Sequence, residues 1–249
     1  MRPYLEAVIG AESVEALWDL HVKEMAKYGF DRLIYGQTHF RSANSLGDVQ
    51  DMLLLTNHGE DYMSRFIDEG LFHHAPMVRW ALENDGACSW RWMEEQLQSG
   101  GFTASERKVV EFNQAMNVRA GYSISFRSIS FRAKAAIALT AKPGMSQDEV
   151  EAVWEEHGRD LTLMNNVMHL KVMNLPYAGN RRPLTKRQKE ALEWVGDGKT
   201  MQDIAQIMGL TPATIEKHLR LAREVLDVET TAQAVLKASF QNQIFVVEG

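Results

Sequence analysis

Between Pro212 and Leu226 the sequence PATIEKHLRLAREVL places Ile215, Leu219, Ala222 and Leu226 at i, i+4, i+7 and i+11, one apolar stripe on a 3.6-residue period. Stepping about 100° per residue, Ala213, Lys217, Arg220 and Glu224 point away from that stripe, with Glu216 on one side and Thr214 on the other. Lys217 and Arg220 are therefore cations on the free side of a helix. Such groups donate to guanine O6 and N7 or neutralise phosphate, and a helix fits the major groove of DNA. A solvated face of a small helical domain has the same pattern, so the flanking elements decide between the two.

Those elements carry their own start and stop signals. Thr185 followed by Gln188 is a capping box that opens a helix through Ala191, Leu192 and Val195, ending near Gly196 to Gly198. A second helix spans about Met201 to Met208 and turns at Gly209-Leu210. Thr211 then caps the third helix, with Pro212 at the first helical position, where its missing N–H costs nothing. A fourth helix runs from about Thr231 to Phe245. Helix, tight turn, helix is the outcome, with Lys217 and Arg220 as the groove readers and Lys199 and Thr200, near the start of the second helix, as expected phosphate contacts. From Arg181 to Arg223 there are nine basic residues against five acidic ones, a surplus of four, while the whole chain is acidic at −6. The positive potential is local, and two modules acting together are expected for specific binding.

LTKRQKEAL, GKTMQDIAQIMGLTPATIEKHL and LDVETTAQAV resemble the LuxR-type helix-turn-helix along its whole length. Gln188 stands where that family usually has Glu, and Glu229 lies in a loop where Arg is common; Gln still completes a capping box. The last region of a sigma factor is the nearest competing pattern. The resemblance implies DNA contacts by Lys199, Thr200, Thr214, Glu216, Lys217 and Arg220.

With 249 residues, a module over 184–249 leaves enough chain for a second core, over 1–174, joined by the linker 175–183 with its two prolines and glycine. The first 29 residues carry acids and helical spacing rather than a basic stretch followed by an apolar one, so no secretory signal is expected. No apolar run approaches the 18 or so residues of a membrane helix. A single cysteine, Cys88, excludes an intramolecular disulfide and clustered-cysteine metal sites, and the expected compartment is the cytoplasm.

Upstream of the linker, residues 12–28 read as a helix, Arg32–Thr38 and Met52–Thr56 as strands, and Tyr62–Glu69 and Met77–Leu82 as short helices. Gly121–Ser128 alternates apolar and polar residues, a half-buried strand, and Ala135–Ala141 is a second strand of small residues. Thr103 with Glu106 and Ser146 with Glu149 are capping boxes, the second opening a long helix to about Met173. An α+β fold follows, an antiparallel sheet between helical layers. No phosphate loop, nucleophile elbow or metal-binding His pair stands in this domain, so no catalytic or metal-ligating residues and no cofactor are expected. Its aromatic residues (among them Tyr62, Phe66, Trp80, Trp90 and Phe102) either line an apolar pocket or fill a core.

The run from Thr56-Asn57-His58 through Tyr62, Phe66 and Ala75-Pro76 to Trp90, continued by Glu106 and Gly121, resembles the signal-binding domain of LuxR-type quorum-sensing regulators. That resemblance implies an N-terminal α-β-α sandwich that encloses an N-acyl-homoserine lactone, and a homodimer on palindromic promoter DNA. Carried over position by position, His58 stands where the family often has Tyr, Tyr62 where it has a Trp that donates to the lactone carbonyl, and Phe66 where it has Tyr. Ala75 replaces the Asp that accepts the ligand amide N–H; Trp90 is the expected residue. Ala75 accepts nothing. A ligand N–H left without a partner in an apolar cavity costs about 1–3 kcal/mol, so an ordinary acyl lactone binds weakly unless Ser123, Ser125 or His58 replaces the acceptor. Three readings stand: a lactone held differently, another apolar signal, or a ligand-independent domain serving as a dimerisation scaffold or antagonist-docking surface.

Overall fold

A computed structural model of the protein describes residues 1–42, 45–177 and 181–246; part of the expected linker, 178–180, lies outside them. Two compact units emerge. One comprises Met1–Gly47 and Leu54–Met173, the other Asp48–Leu53 and Asn174–Gly249.

The first unit is a three-layer α-β-α sandwich around a five-stranded sheet of order β2-β1-β5-β4-β3, with β1 Phe30–Thr38, β2 Leu53–Thr56, β3 Gly86–Ser89, β4 Gly121–Phe126 and β5 Lys134–Ala141. The pairs β1–β5, β5–β4 and β4–β3 are antiparallel. One outer layer holds α1 (Arg2–Gly10), α2 (Val14–Ala26) and the long α7 (Gln147–Val172). The other holds α3 (Glu60–Met63), α4 (Pro76–Glu83), α5 (Arg91–Gln98) and α6 (Ala104–Ala115). Both expected capping boxes form: Thr103 Oγ1 and Ser146 Oγ accept from the backbone N–H three residues on, and Glu106 and Glu149 reach back. Among the described α-helices and strands, α1, β3 and α5 have no counterpart in the sequence reading. The expected helix over Tyr62–Glu69 divides: α3 ends at Met63 and a π turn, Ser64–Asp68, carries Phe66.

Strand alternation gives the sheet two unlike faces. Toward α7 it presents Leu33, Tyr35, Ile124, Ile137 and Leu139, all at most 1% exposed. The other face is built of small side chains. Register aligns Gly36, Ala136, Ser125 and Gly86 in one row across four strands, and Ile34, Ala138, Ser123 and Cys88 in the next.

The second unit holds α8 (Lys186–Gly196), α9 (Met201–Met208), α10 (Pro212–Leu226) and α11 (Thr231–Phe240) around a core that includes Leu192, Ile204, Ile215, Leu219, Ala222, Leu226, Ala234 and Ala238. The turn between α9 and α10 forms as its glycine requires: Gly209 is left-handed at φ 66°. The last helix stops at Phe240, short of the expected Phe245, and Asn242 follows at φ 49°. Ala238 lies in this module's core and Val235, partly buried, packs against it.

Candidate signal pocket and DNA-reading face

His58, Tyr62 and Phe66 come together as one stack. The Tyr62 ring lies 4.5 Å from His58, 5.2 Å from Phe66 and 5.2 Å from Phe112 on α6. Tyr62 donates its hydroxyl proton to Asn113 Oδ1 at 2.9 Å, a partner 51 residues away that the sequence reading did not contain. Burial raises the Tyr62 pKa, so the phenol stays protonated and a donor. His58 is pulled down to about 4, first by burial and then by the Arg32 charge, so it is neutral at physiological pH; its Nε2 lies 3.4 Å from Thr140 Oγ1. Beside this stack lies a cleft of about 320 Å³ lined by Arg32, His58, Gly59, Glu60, Asp61, Tyr62 and Met116. Its lining is mixed in polarity rather than the closed apolar enclosure that the resemblance implies.

Trp90 and Ser123 form a second group. Trp90 Nε1 donates to Ser123 Oγ at 2.9 Å, and its backbone N–H donates to Gly121 O. Gly121 is a glycine because of this packing: a Cβ there would stand 2.2 Å from Leu139 O and 3.1 Å from the Trp90 ring. Ser125 Oγ donates to Ala81 O on α4 at 2.8 Å, which ties β4 to the far end of the helix that Ala75 begins. Ala75 is 6% exposed and is the N-cap of α4, where it makes no side-chain capping bond. It stands about 9 Å along the helix axis from Ala81. Nearby, Glu106 accepts from Arg79 Nε at 2.7 Å and from Thr103; burial acts to raise its pKa, but these bonds outweigh it and hold the carboxyl below its ordinary value.

Above the small-residue face the covering is incomplete. Ile34, Gly36, Ala136 and Ala138 are half-buried, whereas their neighbours on the α7 side are sealed. Apart from Ile34 these side chains are of methyl size or smaller, and Ser123 and Ser125 in the same two rows are buried. The row from Gly36 to Gly86 spans about 14 Å at the usual strand spacing.

On the DNA-binding module, the four buried residues of α10 are Ile215, Leu219, Ala222 and Leu226, and Glu216, Lys217 and Arg220 are exposed opposite them. Thr214 is half-buried with its hydroxyl 2.9 Å from that of Thr211, the N-cap. Arg220 pairs with Glu224 and Glu216 with Arg223, both at the surface, where such pairs are worth little and exchange readily for phosphate. Lys199 is exposed. Thr200 has a task of its own: it caps α9, accepting from Asp203 N and donating to Asp203 Oδ2 at 2.6 Å. That bond holds the Asp203 carboxyl below its ordinary pKa.

An α-β-α unit followed by a helix-turn-helix defines a two-domain transcription regulator. Residues 13–172 match the autoinducer binding domain, and residues 182–238 match the bacterial regulatory proteins of the luxR family. The chain belongs to the LuxR family of quorum-sensing-type transcriptional regulators, and its relatives are regulators rather than enzymes. It is 23% identical over 235 residues, 94% of each chain, to the transcriptional activator protein AnoR of Acinetobacter nosocomialis. It is 22% identical over 191 residues to the transcriptional activator protein LuxR of Aliivibrio fischeri, covering 76% of this chain and 73% of that one. Among solved structures, Escherichia coli SdiA covers 98% of each chain with a TM-score of 0.58 at 16% identity. CepR2 of Burkholderia cenocepacia, an N-acylhomoserine lactone dependent LuxR family factor, covers 70% of this chain and 93% of that one, with a TM-score of 0.53 at 15% identity. Among the described residues no helix is long and apolar enough to cross a membrane, and no group of His, Cys, Asp or Glu is placed to hold a metal ion.

Proposed function

We propose that this chain is a cytoplasmic regulator whose binding to palindromic promoter DNA, as a homodimer, is governed by a neutral apolar signal that lacks the amide N–H of an acyl-homoserine lactone. The observation that carries this reading is the half-buried small-residue part of the sheet, Gly36, Ala136 and Ala138, on the face that α4 meets through the Ser125–Ala81 bond. It supports an acyl chain lying over Gly36, Ala136 and Ala138 with its polar end near Ser123, Ser125 and Tyr62. With alanine at position 75, an ester loses no hydrogen bond that an amide would lose. SdiA has been solved with octanoyl-rac-glycerol, and a monoacylglycerol meets these requirements. The DNA contacts assigned are Lys217 and Arg220 to bases, Lys199 to phosphate, and Thr214 and Glu216 at the edges of the same face; Thr200 acts mainly by capping α9. Leu163 and Leu170, 44% and 59% exposed on one side of α7, are the surface assigned to the two-fold contact.

The test is a thermal-shift titration with octanoyl glycerol and octanoyl homoserine lactone in parallel, alongside native mass spectrometry of protein purified from its own host. Stabilisation by the ester above that by the lactone, or a co-purifying neutral lipid-like mass, is the expected outcome. A specific observation favours a second reading, a ligand-independent scaffold: Tyr62, Trp90 and Ser125 already donate to Asn113, Ser123 and Ala81. No shift with either compound and no bound mass would select it.

A further inference from the structure

Within the C-terminal unit, Lys237 of α11 is 6% exposed, an uncommon place for an ammonium group. Its Nζ donates to Asp51 Oδ2 at 2.5 Å and to the Leu226 carbonyl at 2.7 Å. Leu226 is the last residue of α10, whose terminal carbonyls have no partner inside the helix, and a cation there also suits the helix dipole. Asp51 comes from the 3-10 turn Val49–Asp51, in the segment Asp48–Leu53 that clusters with this unit although it lies more than a hundred residues earlier in the chain. Its other oxygen accepts from Arg181 Nε at 2.8 Å, and the same guanidinium reaches Asp48 at 2.7 Å and Asp227 at 3.2 Å. Asp227 is the left-handed residue, φ 52°, at which α10 ends, and Val228 N–H closes that end on Arg223 O.

We infer that Asp51 is a positioning residue for DNA recognition: through Lys237 and Arg181 it fixes the C-terminal end of the helix that carries Lys217 and Arg220. The matched helix-turn-helix region, residues 182–238, does not contain Asp51. A carboxylate bonded to both cations holds each in one rotamer, and each cation then holds one residue of the helix end. Asp51 and Lys237 are the buried pair of this cluster, and removing one member of such a pair leaves the other charge buried and unpaired. The inference rests on α10 facing DNA, a point that Lys217→Ala, made in parallel, reports on separately.

The experiment uses the full chain and two variants, Asp51→Ala and Asp51→Glu, at 10 °C, below the thermal midpoint measured for each. The probe is the 20-base-pair duplex that the wild-type chain selects from a randomised pool, and hydrogen exchange is followed at the Asp227 and Val228 amides. Asp51→Ala is expected to weaken the duplex about tenfold and to speed exchange at those two amides about tenfold or more, with Asp51→Glu recovering most of both. A general loss of stability would speed exchange throughout the unit instead of at the end of α10. Wild-type exchange at Asp227 and Val228 in Asp51→Ala overturns the inference, whatever the duplex does. Unchanged duplex affinity in that variant while Lys217→Ala loses it overturns the link to recognition. If Lys217→Ala also binds as wild type, the failure is that of α10 as the reading face, and Asp51 then has no recognition to position.

Discussion

Ala75→Asp tests the reading of the sensor domain most directly. Ala75 is 6% exposed, so a carboxylate there is desolvated, and without compensation it would destabilise the fold by several kcal/mol or take up a proton. The position is also the N-cap of α4, with φ −73° and ψ 123° and no side-chain cap of its own. An aspartate at such a site accepts from the N–H groups of the first turn, a gain of about 0.5–2 kcal/mol, and sits at the positive end of the helix dipole. The two effects oppose each other, so the net loss is expected at about 1–2 kcal/mol, a fall in Tm of roughly 2–8 °C for a domain of this size. Added lactone then supplies the amide N–H that the new carboxylate lacks. Recovering that bond is worth about 1–3 kcal/mol, or five- to 150-fold in affinity. Differential scanning fluorimetry of wild type and variant, titrated with octanoyl homoserine lactone, reads both quantities. An unligated variant that melts within the expected range but binds lactone no more tightly than wild type would refute the placement of Ala75 against the ligand amide. Tight lactone binding by the wild-type protein would refute the argument differently, by showing that another group already accepts that proton.

Replacing Lys217 or Arg220 by alanine is expected to cost about 1–3 kcal/mol of binding to the preferred duplex if the side chain reads a base, and a uniform loss across sequences if it touches phosphate alone; mobility shifts on preferred and scrambled duplexes separate the two. Gly121→Ala places a methyl 2.2 Å from Leu139 O and 3.1 Å from the Trp90 ring, so β4 and β5 must part and Trp90 must give way, and a loss of about 3 kcal/mol or more in urea denaturation is expected, against none if the sheet can shift. His21, His58 and His169 are each pulled down to about 4, chiefly by burial, so their neutral forms stabilise the fold. The unfolded chain binds protons at these sites first, so stability is full above about pH 6.5 and falls as the pH drops toward 4, by up to roughly 3 kcal/mol per histidine. Urea midpoints at pH 7.0, 5.5 and 4.5 check this, and a flat profile would contradict it.

Where the sequence reading succeeded, the signals were local. Thr211, Pro212 and Gly209 each state a backbone conformation within one turn of themselves, so the start of α10 and the turn before it follow from residue type alone. The stripe of α10 reads correctly because nothing but its own module buries it. The misses share the opposite character. Helix α1 buries only Tyr4 and Val8, two residues that make no visible period, and β3 is an edge strand of Gly, Ala, Cys and Ser with no β-branched side chain to mark it. Helix α5 is short and has no capping signal, since Trp90 at its N-cap makes no side-chain capping bond. In the candidate pocket, residue types were legible but partners were not. Tyr62 reads as a hydrogen-bond donor, but nothing along the chain says that Asn113, brought in on α6, accepts from it. Trp90 reads as an aromatic wall, but its donation to Ser123 on β4 is equally invisible in the spacing. Such pairings are made by topology, and no spacing along the chain announces them.

The unlike faces of the sheet separate two demands that most binding proteins must satisfy with the same residues. Leu33, Tyr35, Ile137 and Leu139 face α7 and hold the domain together, while Ile34, Gly36, Ala136 and Ala138, one position along the same strands, carry little of that work. An exchange of alanine for glycine, serine or valine on the second set reshapes the space above the sheet by a methyl group or two and leaves the sealed side untouched. If the proposed signal lies over this face, changes of preference accumulate here in single steps, each too small to unfold the domain.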